Sequence, residues 1–363
     1  MKKAILFGLG RRYQKYRNLL HKMYNVVGVS DNNYAKNNKF CENEHIFINP
    51  DDIKGIDYDV IVVVPAWKHA HEILLQLYDE LLIPVEKIEI IGINSGSPFA
   101  PVAIDEYKIV PIFKDGVLCI DCGIKMNMKS RSDIVVFQSV FCSRSYNIAL
   151  TDDEFIAIDI GMNIGAATLF FATYNNIKHV YAYELVPTTY ADALENFALN
   201  PALRSKISAY PFGLGIAQQE VLLKKDGDSI ANNMCNLAEN ESDGINCNIE
   251  PVDVVLTPII NEHYGKRKII LKIDCEGSEY EILEKLLDSG LLGKIDIIIF
   301  EWHASYQGTN ELDYIDLVQS FSKKLTDDGF VVFFQHAKFG DNYAFGEGNA
   351  IRIRGGYNGL RSK

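Results

Sequence analysis

Phe155-Ile-Ala-Ile-Asp-Ile-Gly-Met-Asn-Ile-Gly165 is the stretch on which the fold turns. It begins as an apolar run interrupted by Asp159, the pattern of a strand buried on both faces of a parallel sheet. The next residues, Ala166-Ala-Thr-Leu-Phe-Phe-Ala-Thr-Tyr174, read as a helix, which puts Gly161 and Gly165 in the connecting turn. Glycine there permits tight backbone geometry and close approach of a ligand to the main chain.

Working outward, His179-Val-Tyr-Ala-Tyr-Glu-Leu185 is a second strand. It ends at Glu184, about 20 residues beyond the glycines, where a carboxylate can accept hydrogen bonds from both hydroxyls of a ribose. Such a turn can hold a dinucleotide pyrophosphate or the amino-acid end of S-adenosylmethionine. Asn163 stands where a dinucleotide fingerprint places its second glycine, so the spacing favours the methyl donor. Further strands are read at Ile207–Gly213, Ile269–Gly277, Ile295–Trp302, Gly329–Gln335 and Asn349–Gly355, with helical patterns after the first, second, fourth and fifth of the seven. The expectation is an α/β fold, a Rossmann-like seven-stranded parallel sheet finished by an antiparallel hairpin. The polar stretch Lys224–Asn248 reads as a long loop or flap.

Taken together, DIGMNIG at 159–165, YAYELVPTTYADALENFALN at 181–200, PFGLG at 211–215 and LKIDCEGSEYEIL at 271–283 resemble the FkbM methyltransferase family over about residues 130–340. The resemblance implies that Asp159, Gly161, Asn163, Gly165 and Glu184 contact S-adenosylmethionine. It also places Phe212 and Gly213 near the adenine, and it implies O-methylation of a hydroxyl on a sugar or related natural product.

The residues support this chemistry on their own terms. Lys272, Asp274 and Glu276 alternate along a strand and its end, as do Glu301 and His303, so each set shares a face if its strand is regular. In an open α/β sheet the reactive crevice lies beyond the carboxyl ends of the strands. An alcohol is a weak acid, so methyl transfer to it calls for a general base or a metal ion. Asp274 is the first choice as base or acceptor-orienting group, with His303 the alternative base and Glu301 its partner. Asp274, Glu276, Glu301 and His303 would also suit a divalent Mg or Mn ion better than zinc.

Residues 1–97 read as a separate, smaller Rossmann-like domain, 98–150 as a lead-in packed on the catalytic domain, and 151–363 as the methyltransferase domain. The first domain is similar to the nucleotide-sugar-binding domains of bacterial sugar-modifying enzymes. The resemblance implies a nucleotide site bordered by Gly8, Gly10 and Asp31, with Trp67, His69 and His71 in the loop after the third strand. Tyr13 occupies the third glycine position of the dinucleotide fingerprint, so the competing reading is a scaffold used for homo-oligomer formation or docking.

Composition excludes some partners and favours others. With 48 acidic against 36 basic residues there is no overall positive field for nucleic acid. Seven scattered cysteines and the lack of a convincing secretory signal or transmembrane segment lead to the expectation of a cytoplasmic protein with reduced thiols. The acceptor expected is a small molecule or glycan, including a nucleotide sugar. Two other classes compete: an NAD-dependent oxidoreductase, against which Tyr13 and Asn163 both weigh, and a non-catalytic nucleotide-binding scaffold.

Overall fold

Buried strands need crossover helices on their faces, and the computed structural model shows where each crossover falls. It describes residues 1–33, 46–65, 67–91, 101–103, 109–113, 116–119, 123–142, 145–148, 150–224, 244–275, 277–304, 311–339 and 344–352. Two compact units divide the chain, Met1–Arg144 and Ser145–Lys363. Among the described residues no helix is long and apolar enough to cross a membrane.

The first unit opens with β1 (Lys3–Phe7), α1 (Arg11–Met23), β2 (Asn25–Ser30), β3 (Val60–Val63), α2 (Trp67–Leu75), β4 (Ile88–Ile91) and β5 (Pro101–Ala103). These strands form one sheet in the order β2-β1-β3-β4-β5, parallel except for β5. A separate antiparallel sheet of β6 (Ile109–Phe113), β7 (Gly116–Cys119) and β8 (Lys125–Asn127) precedes α3 (Arg131–Phe137). Residues 98–144 thus fall within the first unit. Trp67, His69 and His71 lie on α2 rather than in a loop, because the helical run already begins at Trp67.

Two side chains close the β1–α1 turn. Asp31, buried, accepts the Leu9 N–H at 2.6 Å through Oδ2 and the Asn33 N–H at 2.6 Å through Oδ1. Tyr13, fully buried, packs with Leu6, Leu9 and Val62, filling the space that a glycine would leave for close helix approach.

The second unit contains β9 (Phe155–Ile160), α4 (Ala166–Thr173), β10 (Ile177–Tyr183), α5 (Pro187–Ala198), β11 (Ile207–Tyr210), β12 (Gly213–Gly215), β13 (Gln219–Lys224) and β14 (Gly244–Pro251). It continues with α6 (Val252–His263), β15 (Lys268–Ile273), α7 (Glu279–Asp288), β16 (Ile297–Ala304), α8 (Glu311–Asp327), β17 (Phe330–Phe339) and β18 (Ala344–Arg352). The main sheet runs β11-β10-β9-β15-β16-β18-β17, five parallel strands closed by an antiparallel hairpin as the sequence pattern predicts.

Alternation sorts this sheet into two faces. Ile156, Ile158, Ile160, Leu271, Ile273, Ile298, Phe300 and Trp302 join one core with Ile282, Leu283 and Leu286 of α7. Burying each large apolar side chain contributes roughly 1.5–3 kcal/mol before the entropy of ordering it is subtracted. Asp159, Lys272, Glu301 and His303 occupy the other parity and so share the opposite face.

The loop expected over Lys224–Asn248 is partly strand. Gly244–Pro251 pairs antiparallel with Gln219–Lys224 and parallel with β12, its alternating side chains giving a half-buried pattern. Residues 225–243 lie outside those described.

Because Asp31 holds the buried Leu9 N–H, Asp31→Ala should lower the first unit's stability by about 1–3 kcal/mol, the cost of leaving that donor unsatisfied. Urea unfolding of the full chain measures it; an unchanged first transition would contradict the turn-closing role.

Candidate active site

The loop after β9 is held by three successive left-handed positions. Gly161 has φ 77°, Asn163 φ 52° and Gly165 φ 85°. A Cβ on Gly161 would lie 1.8 Å from the Asp274 carbonyl oxygen, and one on Gly165 would lie 2.5 Å from the Phe197 ring. These glycines therefore allow close packing within the protein, of the β9 end on the β15 end and of the loop on α5. Asn163 tolerates its conformation with its side-chain oxygen accepting the Ile164 N–H at 2.6 Å.

Beneath the loop lies a buried charge cluster. Asp159 and Lys272 are direct cross-strand neighbours in register, and Lys272 Nζ stands 3.0 Å from Asp159 Oδ1. The ammonium also donates to the Gly161 carbonyl at 2.7 Å and lies 3.5 Å from Asp274 Oδ2. Thr168 Oγ1 donates to Asp159 Oδ2 at 2.6 Å. Burial alone would lower the Lys272 pKa, but the Asp159 and Asp274 carboxylates outweigh it and hold the amine above its ordinary value. Asp159, expected to meet the donor, instead has its fully buried carboxylate engaged by Lys272 and Thr168, supporting the loop from below.

Glu184 stands where the sequence predicts, just past β10. Its Oε2 accepts the Asn163 N–H and its Oε1 the Val186 N–H, each at 2.9 Å. Burial pushes its pKa up to about 7, against the pull of those two backbone bonds. Phe212 is half-buried, its ring centroid 5.6 Å from Tyr183 and 5.8 Å from Tyr210, and Gly213 opens β12 against Leu185.

Two further residues enter to which the sequence reading gave no role, Tyr146 outside the quoted motifs and Glu279 within LKIDCEGSEYEIL. Tyr146 donates its hydroxyl proton to Asp274 Oδ2 at 2.9 Å, with its ring centroid 5.4 Å from Lys272 Nζ. Burial and then the Asp274 charge keep this phenol protonated, its pKa raised well above the ordinary tyrosine value. Glu279, in the first turn of α7, accepts the Cys275 N–H at 3.1 Å and the Gly277 N–H at 2.9 Å. Its Oε1 also lies 2.8 Å from His303 Nδ1. The partner of His303 by distance is therefore Glu279, since Glu301 Oε1 lies 3.9 Å from His303 Nε2. An acid three residues past the 276 position was the available signal, because a carboxylate in a first helical turn can reach back to preceding N–H groups. Glu276 itself lies outside the described residues.

Asp274, Glu279 and His303 bring ligand-type atoms within 4.8 Å of one another. Their fit to a divalent ion is poor, since both Glu279 oxygens hold backbone N–H groups and Asp274 already borders the Lys272 ammonium. In the first unit Gly8 donates its N–H to Ser30 O at 2.8 Å, and Gly10 precedes α1. Asp31 spends both oxygens on the turn, and the side chain of Trp67 lies outside the described residues.

The sheet order and the site beyond the strand ends define a Rossmann-like methyltransferase fold. Residues 159–332 match the family described as Methyltransferase FkbM domain, and residues 1–92 match the one described as C2185-like, N-terminal. The chain thus carries an FkbM-type methyltransferase domain. It is 25% identical to "Methyltransferase 1" of Beauveria bassiana (strain ARSEF 2860) over 187 residues, 46% of this chain and 73% of that protein. Among solved structures, methyltransferase FkbM from Methylobacillus flagellatus KT is similar with 12% identity over 96% of this chain and 89% of that one, at a TM-score of 0.37. TrmK of M. capricolum in complex with S-adenosyl-homocysteine is similar with 14% identity over 60% of this chain and 67% of that one, at a TM-score of 0.33.

Removing the Lys272 charge would strand Asp159 in the core. Lys272→Met is expected to cost about 3–5 kcal/mol, far more than the same substitution at the exposed Lys323. Urea midpoints of the two variants compare them; equal midpoints would contradict the supporting role of the pair.

Proposed function

We propose that this chain transfers the methyl group of S-adenosylmethionine to a hydroxyl of a sugar, nucleotide sugar or surface-glycan precursor. The observation that carries the reading is the placement of Glu184 beside the Gly161–Gly165 loop, with Glu301 and His303 in the last residues of β16 and Asp274 just past β15. The first set suits a nucleoside and the second suits deprotonation of an alcohol.

In this reading Glu184 accepts the two ribose hydroxyls, the Gly161–Gly165 loop borders the amino-acid end, and Phe212 with Gly213 borders the adenine. The donor supplies an electrophilic methyl carbon on a sulfonium. What the protein must add is alignment of the acceptor oxygen, worth several kcal/mol, and a place for its proton. The first unit, whose third glycine position is filled by the buried Tyr13 side chain, is read as a scaffold for docking or self-association rather than a nucleotide site.

Calorimetric titration of the full chain with S-adenosylmethionine and its demethylated product tests the donor; binding of NAD alone would remove the reading. Transfer of a labelled methyl group to a panel of monosaccharides and nucleoside diphosphate sugars tests the acceptor. Methylation of amines with no product on any hydroxyl would reassign it.

The Glu184 carboxyl, with its pKa near 7, makes donor binding pH-dependent in a defined direction. The ionised form accepts both hydroxyls, so affinity should be level above pH ~7 and fall about tenfold per unit below it. Titrations across that range should show the slope in the wild type and lose it in Glu184→Gln.

A further inference from the structure

We infer that His303 takes the acceptor's proton and that Glu279 is the positioning residue that makes it able to do so. The inference rests on the methyl-transfer reading above and goes beyond it in naming the base and its support.

The protonation pattern follows from the donors around Glu279. Its side chain is buried, and as a carboxylate it has only acceptor capacity. It receives the Cys275 and Gly277 N–H groups at 3.1 and 2.9 Å, and the same oxygen that takes Cys275 lies 2.8 Å from His303 Nδ1. The proton in that last contact therefore sits on Nδ1. A neutral imidazole carries one ring proton, so Nε2 is the nitrogen with the lone pair.

The ring is also fixed in place. Glu279 belongs to the first turn of α7 and ties down the backbone immediately after Asp274, so the base is anchored to the end of β15 as well as to its own strand β16. His303 lies on the same sheet face as Lys272 and Asp159. Glu301 Oε1 lies 3.9 Å from Nε2, too far for a hydrogen bond but close enough to favour the positive ring formed after proton transfer.

Asp274, the competing base, is differently occupied. Its Oδ2 accepts the Tyr146 hydroxyl at 2.9 Å and lies 3.5 Å from the Lys272 ammonium. It serves as a fixed acceptor that orients the substrate or the Tyr146 ring, while the mobile proton goes to histidine.

The step balances without a further reactant. The acceptor oxygen forms its bond to the methyl carbon as the carbon–sulfur bond breaks, the bonding pair stays on sulfur as a thioether, and the hydroxyl proton passes to His303 Nε2. That proton then leaves to water, and the Nδ1 proton remains on the ring throughout, held by Glu279.

Nitrogen-15 NMR of the full chain labelled at its eight histidines reads the tautomer directly, with His303→Gln used to assign the signal. His303 should show a protonated Nδ1 and an unprotonated Nε2, and this pattern should be lost in Glu279→Leu, which has no acceptor, and kept in Glu279→Gln, whose side-chain oxygen still accepts. A wild-type ring protonated on Nε2 alone would overturn the inference. Single-turnover methyl transfer, using whichever sugar of the panel is methylated, supplies the second readout. His303→Gln should slow it by about 10²–10⁴-fold, while S-adenosylmethionine affinity stays within about twofold. Glu279→Leu should lower the rate with the acceptor KM unchanged. Full turnover in His303→Gln with donor binding intact would overturn the assignment of the base alone, whereas failure of the wild type to bind the donor would remove the underlying reading as well.

Discussion

The buried Lys272 ammonium is the interaction on which the rest of the site depends. It is buried away from solvent, so its charge must be met by Asp159, the Gly161 carbonyl and Asp274, and these three belong to β9, the loop after β9, and the end of β15. One cation thereby fixes the relative position of two strand ends and of the loop between β9 and α4. Replacing such a cluster by apolar residues need not cost stability, but removing one member leaves an uncompensated charge in the core. What the cluster provides is a defined geometry. The loop at Gly161 can lie on the Asp274 carbonyl because no Cβ intervenes, and the backbone of Asn163 then reaches Glu184.

A second layer of constraint comes from strand parity. Ile156, Ile158 and Ile160 of β9, Leu271 and Ile273 of β15, and Ile298, Phe300 and Trp302 of β16 join the core with α6 and α7, so Asp159, Lys272, Glu301 and His303, of the other parity, face the other way. Five parallel strands ending at the same edge then gather residues distant in the chain: Glu184 from β10, Lys272 and Asp274 from β15, and Glu301 and His303 from β16. Tyr146 closes this group from a segment that precedes β9, through its hydrogen bond to Asp274. Glu279 completes it from the helix on the opposite face, reaching His303 past the end of the sheet.

Much of this was legible in the chain alone. Alternating and continuous apolar runs gave the strands, the reversed final hairpin and the turn at Gly161–Gly165, because buried parallel strands leave little choice of composition. Glu184 was legible for the same reason, as an acid at a strand end at a fixed interval from a glycine turn. The first unit's Asp31 fitted the identical pattern, and like Glu184 it holds two backbone N–H groups, since a strand-end carboxylate serves ligand and backbone equally well. The strand at Gly244–Pro251 was obscured by its polar residues, which suit the exposed side of a small sheet as readily as a loop.

The sequence by itself determined the fold class, the position of the Gly161–Gly165 turn and the strand-end acids, because these depend on periodicity and on local backbone geometry. Only the tertiary structure decided which acid serves which partner. Glu279 and Glu301 both lie near His303, and Asp159 and Asp274 both lie near Lys272, and no spacing in the chain ranks such pairs. The ranking depends on distances of an ångström or so between side chains from different strands and helices, and those are set only when the sheet faces are packed and every buried charge and N–H group has found its partner.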